Sequence, residues 1–111
     1  MEANRYQYKT HSTATYPEAG QGSHEAITYT IFGLIGEAGE IANKWKKHLR
    51  DGVPFDQVRA QVLDEAGDVL WYLARLATEF GESLDNVAQD NLDKLTDRKE
   101  RGVISGNGDN R

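Results

Sequence analysis

The chain has 111 residues, 38% hydrophobic and 28% charged, with a formal charge of −5 and no cysteine. A single domain of this size buries about 60–70% of its unfolded surface, and so thin an apolar content leads us to expect a homodimer or homotetramer. The negative charge argues against polymeric nucleic acid, which needs a basic footprint, but not against small anionic substrates. Disulfides and zinc–thiolate sites are excluded. No apolar run approaches the ~18 residues of a membrane span and no signal-peptide pattern is present, so a cytoplasmic protein without a membrane partner is expected.

In chain order, residues 1–23 form a polar N-terminal segment with Tyr6, Tyr8 and Tyr16. A short helix over about 6–14 would end at the Tyr16-Pro17 step. The tyrosines either pack this segment on the body or touch a ligand. Ser23 is a candidate N-cap for a long helix to about Leu49, carrying Ala26, Tyr29, Ile31, Leu34, Ile41 and Trp45 at helical intervals. Asp51-Gly52-Val53-Pro54 stops it. A third helix over about 54–80 places Val58, Val62, Val69, Leu73, Leu76 and Phe80 on its stripe, and Gly81 ends it. Ser83 then caps a fourth helix, to about Arg101, with Leu84, Val87, Leu92 and Leu95. No strand-period alternation occurs, so the expected fold is an all-α bundle of about four helices. Its domain covers 24–101, followed by a Gly- and Asn-rich tail at 102–111 that lacks the Lys-Ser/Thr of a P-loop.

Two near-copies stand out, Gly36-Glu37-Ala38-Gly39-Glu40 and Asp64-Glu65-Ala66-Gly67-Asp68. On helices, Glu37 and Glu40 share one face, as do Glu65 and Asp68. Leu34 and Ile41 flank Glu37, and Val62 and Val69 flank Glu65, so both glutamates interrupt apolar stripes. One such pair alone is usually a solvated face. Two in the same frame, on core-facing stripes, need a compensating cation. Four oxygen ligands from two helices suit a hard divalent ion such as Mg²⁺. Glycine in a helix interior costs about 1 kcal/mol against alanine, so Gly36, Gly39 and Gly67 suggest close approach of a ligand or another helix.

A second constellation is basic. Asn91, Lys94, Arg98 and Arg101 fall on one face of the fourth helix, and Lys44 and Lys47 follow Glu40 at +4 and +7. Facing the acids, they would take the charge of a metal-bound triphosphate. Alone, the stripe would be solvated or paired with Asp90, Asp93 or Asp97. Trp45, Trp71 and Tyr72 either pack or line a pocket, with Tyr72 on the Glu65 face and able to stack on a base. None of the three histidines follows a glutamate by three, which disfavours a di-iron bundle.

The stretch Gly33-Leu-Ile-Gly-Glu37-Ala-Gly-Glu40-Ile-Ala-Asn-Lys-Trp-Lys-Lys47, with Asp64-Glu65-Ala-Gly-Asp68-Val-Leu-Trp-Tyr72, resembles the MazG-like all-α nucleoside triphosphate pyrophosphohydrolases. Asn91-Leu-Asp-Lys94-Leu-Thr-Asp-Arg98 and the tail resemble its compact single-domain members, some carried by phages. The resemblance covers about 24–111. Where the family pattern often has two adjacent glutamates, Gly36 precedes Glu37. The resemblance implies an oligomer and Mg²⁺-dependent hydrolysis of a (deoxy)nucleoside triphosphate to the monophosphate and pyrophosphate, with Mn²⁺ as a substitute ion. By position, Glu37, Glu40, Glu65 and Asp68 would hold Mg²⁺, and Asn91, Lys94 and Arg98 would contact phosphate. Glu40 is the first choice to orient water. Lys44 and Lys47 would stabilise the leaving group, and Tyr72 and Trp45 would bound the base. Two rivals are a nucleotide sensor without turnover and a helical interaction module whose acids bind basic partners.

Overall fold

The computed structural model describes residues 1–106 and 108. Four α-helices follow one another: α1 (Ala3–Lys9), α2 (His24–Asp51), α3 (Phe55–Glu79) and α4 (Leu84–Glu100). Among the described residues there is no strand, and no helix is long and apolar enough to cross a membrane. The expected all-α bundle is therefore the observed fold. What is expected of the tail at 107 and 109–111 lies outside the described residues.

Local chemistry sets the helix ends. Ser23 accepts the Ala26 N–H at 3.2 Å, and Ser83 accepts the Asn86 N–H at 3.0 Å, each satisfying an orphan donor. Gly52 closes α2 in the left-handed conformation at φ 71°. Only residues 52–54 separate α2 from α3, so the two long helices fold back as an antiparallel hairpin. The side chains buried on this hairpin are mostly small: Ala26, Thr30, Val58, Ala74 and Ala77.

The first helix differs from its expected span. It starts at Ala3 and gives way to a 3-10 turn at Thr10–Thr13. There, Thr10, Ser12 and Thr13 donate their hydroxyls to carbonyls three residues back, which competes with α-helical pairing. Helix α1 clasps the α3–α4 joint. Gln7 donates to Thr78 Oγ1 and to the Glu82 carbonyl and accepts the Leu84 N–H, while Asn4 accepts the Asp85 N–H.

The N-terminal segment is fastened by a buried polar knot. Glu79 accepts N–H bonds from Gly20 (2.8 Å) and Gly22 (2.9 Å), both in the left-handed region, and the Tyr16 hydroxyl. Arg75 donates to the Tyr16 hydroxyl (3.2 Å) and to Thr10 Oγ1 (3.1 Å), with its guanidinium 3.9 Å from the Glu79 carboxylate. Burial alone would raise the Glu79 pKa, but the bonds from Tyr16, Gly20 and Gly22 and the Arg75 charge hold it below the ordinary value. Burial and the bond to Glu79 push Tyr16 up to about 12. Packing is thus the role the fold gives Tyr16, whereas Tyr8 is exposed.

Several stripe residues expected in the core are open to solvent in the single chain, among them Tyr29, Ile31, Trp45, Leu73, Phe80, Val87 and Leu92. The reason is topological. Helix α4 touches α1 and α3 but not α2, leaving long apolar faces uncovered. The radius of gyration is 16.8 Å, against about 13 Å for a compact chain of this length.

Glu79→Ala would leave the Arg75 charge buried without its partner. We expect a loss of about 3–5 kcal/mol in urea unfolding at pH 7. A loss below about 1 kcal/mol would show that the knot does not anchor the segment.

Candidate metal centre

Helical period and the hairpin register together bring the two acidic motifs face to face. Glu37 from α2 and Glu65 and Asp68 from α3 each present a carboxylate oxygen, and the three oxygens lie within 4.8 Å of one another. Glu37 and Glu65 are half-buried and Asp68 is exposed. Glu40, expected as a fourth member, stands exposed outside this group.

The electrostatics are one-sided. Glu37 is raised from 4.5 to about 7, first by its hydrogen bond with Glu65, then by burial and by the charges of Asp68, Glu65 and Glu40. Burial, then Asp64 and Glu65, raise Asp68. The charged groups acting on Glu37 and Asp68 are therefore acids, with no cationic side chain among them. An oxygen-only, uncompensated donor set of this kind fits a hard divalent cation such as Mg²⁺. Thiolate and imidazole donors, which softer metals favour, are absent from the cluster.

The close approach sits at a different glycine from those expected. A Cβ at Gly36, Gly39 or Gly67 would meet nothing within 4 Å in the chain. At Gly33 it would lie 2.6 Å from Tyr72 Cδ1 and closer still to Cε1 and Cζ. Burial first, then the neighbouring Tyr29 hydroxyl and the charges of Glu37 and Asp68, raise the Tyr72 hydroxyl pKa. Tyr72 therefore stands beside the carboxylates with its ring against α2. The contact was missed because its signal is tertiary. Gly33 precedes Glu37 by one turn and Tyr72 follows Asp68 by one turn, and only the hairpin register joins them.

The remaining candidates are dispersed. Lys44 is half-buried and Lys47 exposed, both further along α2. Trp45 packs against His48 at 4.8 Å between ring centroids, toward the hairpin end of α2. Asn91 and Lys94 are exposed on α4, and Arg98 is buried there. The backbone of α4 packs against α1 and α3 and makes no close approach to α2, Glu37's helix, within one chain. Trp71 donates its Nε1–H to Thr13 at 2.9 Å and packs edge-on against Tyr16 and Tyr72.

The raised Glu37 pKa carries a sign. The folded state holds a proton that the unfolded chain releases near 4.5, so stability falls as pH rises from about 4.5 through about 7. In chelator, thermal melts should show this loss, and Glu37→Gln should flatten the profile and be the more stable protein at pH 8. A wild-type curve that stays level over this range would contradict the crowding of the three acids.

Residues 24–103 match the MazG nucleotide pyrophosphohydrolase domain model. The chain is also similar to the "Gene 37 protein" of Mycobacterium phage L5, 51% identical with each chain covered over its full length. No solved structure matches it. With nearly three-quarters of its length in that match and its paired acidic motifs facing one another across α2 and α3, the chain belongs to the MazG nucleotide pyrophosphohydrolase domain family.

Proposed function

We propose that this chain hydrolyses a (deoxy)nucleoside triphosphate to the monophosphate and pyrophosphate, using Mg²⁺ held by Glu37, Glu65 and Asp68. The observation that carries the reading is the three-carboxylate cluster, in which the charged groups acting on Glu37 and Asp68 are acids, in a chain of the MazG family. When bound, the ion supplies positive charge against the phosphate oxygens and acidifies water. Glu40 lies three residues after Glu37 on α2 and outside the cluster, so it is left to accept the proton of the attacking water. The water oxygen bonds to the α-phosphorus as the bridge to the β-phosphate breaks, and pyrophosphate departs. Lys44 and Lys47, on the Glu40 face of α2, offset the charge gathering on that leaving group.

We further propose that the working form is a homodimer or homotetramer. Phe32 is 68% exposed, Ile35 63% and Leu63 52%, on the two helices that carry the site, and large apolar side chains left open in this way mark an interface. A second copy would also let Asn91 and Lys94 of α4 reach phosphate on a neighbour's cluster.

Incubation with a panel of NTPs and dNTPs, with Mg²⁺ or chelator, tests the reading by its products. We expect monophosphate plus pyrophosphate with metal only, and a fall of at least 100-fold in Glu65→Gln. Diphosphate plus phosphate would relocate the cleavage. Tight binding without product would favour a nucleotide sensor, and unchanged turnover in Glu65→Gln would overturn the site.

A further inference from the structure

Tyr72 occupies a space that no other residue at position 33 would leave it. Its ring lies where a Cβ on Gly33 would be, so α2 and α3 meet there through an aromatic ring on bare backbone. The ring has little room to swing away. Tyr29 flanks it with centroids 6.4 Å apart, and Trp71 stands perpendicular to it at 5.0 Å. Both neighbours are held from the N-terminal segment. Tyr16 stacks on Tyr29 at 5.1 Å and 13°, and Thr13 accepts the Trp71 indole N–H. Tyr16 is in turn fixed by Glu79 and Arg75.

This brace sits one helical turn from the carboxylates on both sides, Gly33 to Glu37 on α2 and Asp68 to Tyr72 on α3. Four residues correspond to about 6 Å along a helix axis. At that range the width of the Gly33–Tyr72 contact sets the gap across which Glu37 faces Glu65 and Asp68. We propose that Tyr72, seated on Gly33 and braced through Tyr29 and Trp71 by residues 13–16, is the positioning residue that sets the separation of the metal-binding carboxylates. Residues 13–16 lie outside the 24–103 family match. The brace thus joins residues inside the matched domain to a segment that precedes it. The proposal rests on reading Glu37, Glu65 and Asp68 as cation ligands.

Mn²⁺ binding followed by electron paramagnetic resonance, with no nucleotide present, tests it on the full chain. Wild type is expected to bind Mn²⁺. If it does not, the metal reading itself fails and the brace has nothing to position. Gly33→Ala should weaken binding at least 10-fold, because the added methyl wedges the helices apart. Gly33→Ala combined with Tyr72→Leu should recover affinity to within about threefold of wild type, since the branched side chain leaves room for the methyl. Tyr72→Phe keeps the ring and should bind as wild type does, which separates a spacer from a hydroxyl ligand. Wild-type affinity in Gly33→Ala, or a loss in Tyr72→Phe as large as in Gly33→Ala, would overturn the proposal. Should Gly33→Ala not fold, the double variant decides: folded with near-wild-type affinity supports the spacer, and folded without affinity or unfolded overturns it.

Discussion

Like-charge crowding between Glu37, Glu65 and Asp68 is the constraint around which this molecule is arranged. Three carboxylates offer oxygens within 4.8 Å of one another, and the hydrogen bond between Glu37 and Glu65, then burial and the neighbouring negative charges, raise the Glu37 pKa to about 7. Nothing local to either helix would hold the acids so close. The α2–α3 hairpin does, because a three-residue link reverses the chain and small buried side chains let the helices lie side by side. Packing energy spread along the hairpin offsets electrostatic strain gathered at one level of it.

Helix α3 also carries an acid in the opposite situation. Glu79, three turns beyond Asp68, is the most deeply buried acid among the described residues, yet its pKa is lowered. It has Arg75, a tyrosine hydroxyl and two glycine N–H groups around it. Around Asp68 on the same helix, the charged groups that act are Asp64 and Glu65, both acids. One carboxylate of this helix is buried and satisfied from within the chain, while the half-buried Glu65 and the exposed Asp68 stand in a cluster of acids. The contrast supports an external cation more strongly than the acidic cluster would alone.

The features legible in the sequence were those whose physics is local. Ser23, Gly52, Pro54 and Ser83 mark helix ends through capping and backbone preference, and the observed ends fall within about two residues of those marks. Glu37 and Glu65 could be placed together because both break apolar stripes in the same frame. Pairing across helices was not legible. Gly36, Gly39 and Gly67 drew attention by standing beside the acids, while the close approach belongs to Gly33, whose partner lies 39 residues away in sequence. Asn91, Lys94 and Arg98 lie on α4, with Arg101 at its C-cap, and where that helix sits depends on the α3–α4 joint, which Gln7 and Asn4 bridge. Exposure of Phe80 and Leu73 follows from the same geometry, since periodicity says which residues share a face and not what covers it.

The most direct measurement of the central claim is the melting temperature with Mg²⁺ and with chelator at pH 8, in wild type and in Glu65→Gln. A cation that binds the folded cluster must stabilise it. Wild type should gain at least about 4 °C, the shift that ~1 kcal/mol brings to a domain of this size. The variant should gain much less. Equal shifts in both proteins, or none in either, would contradict the account.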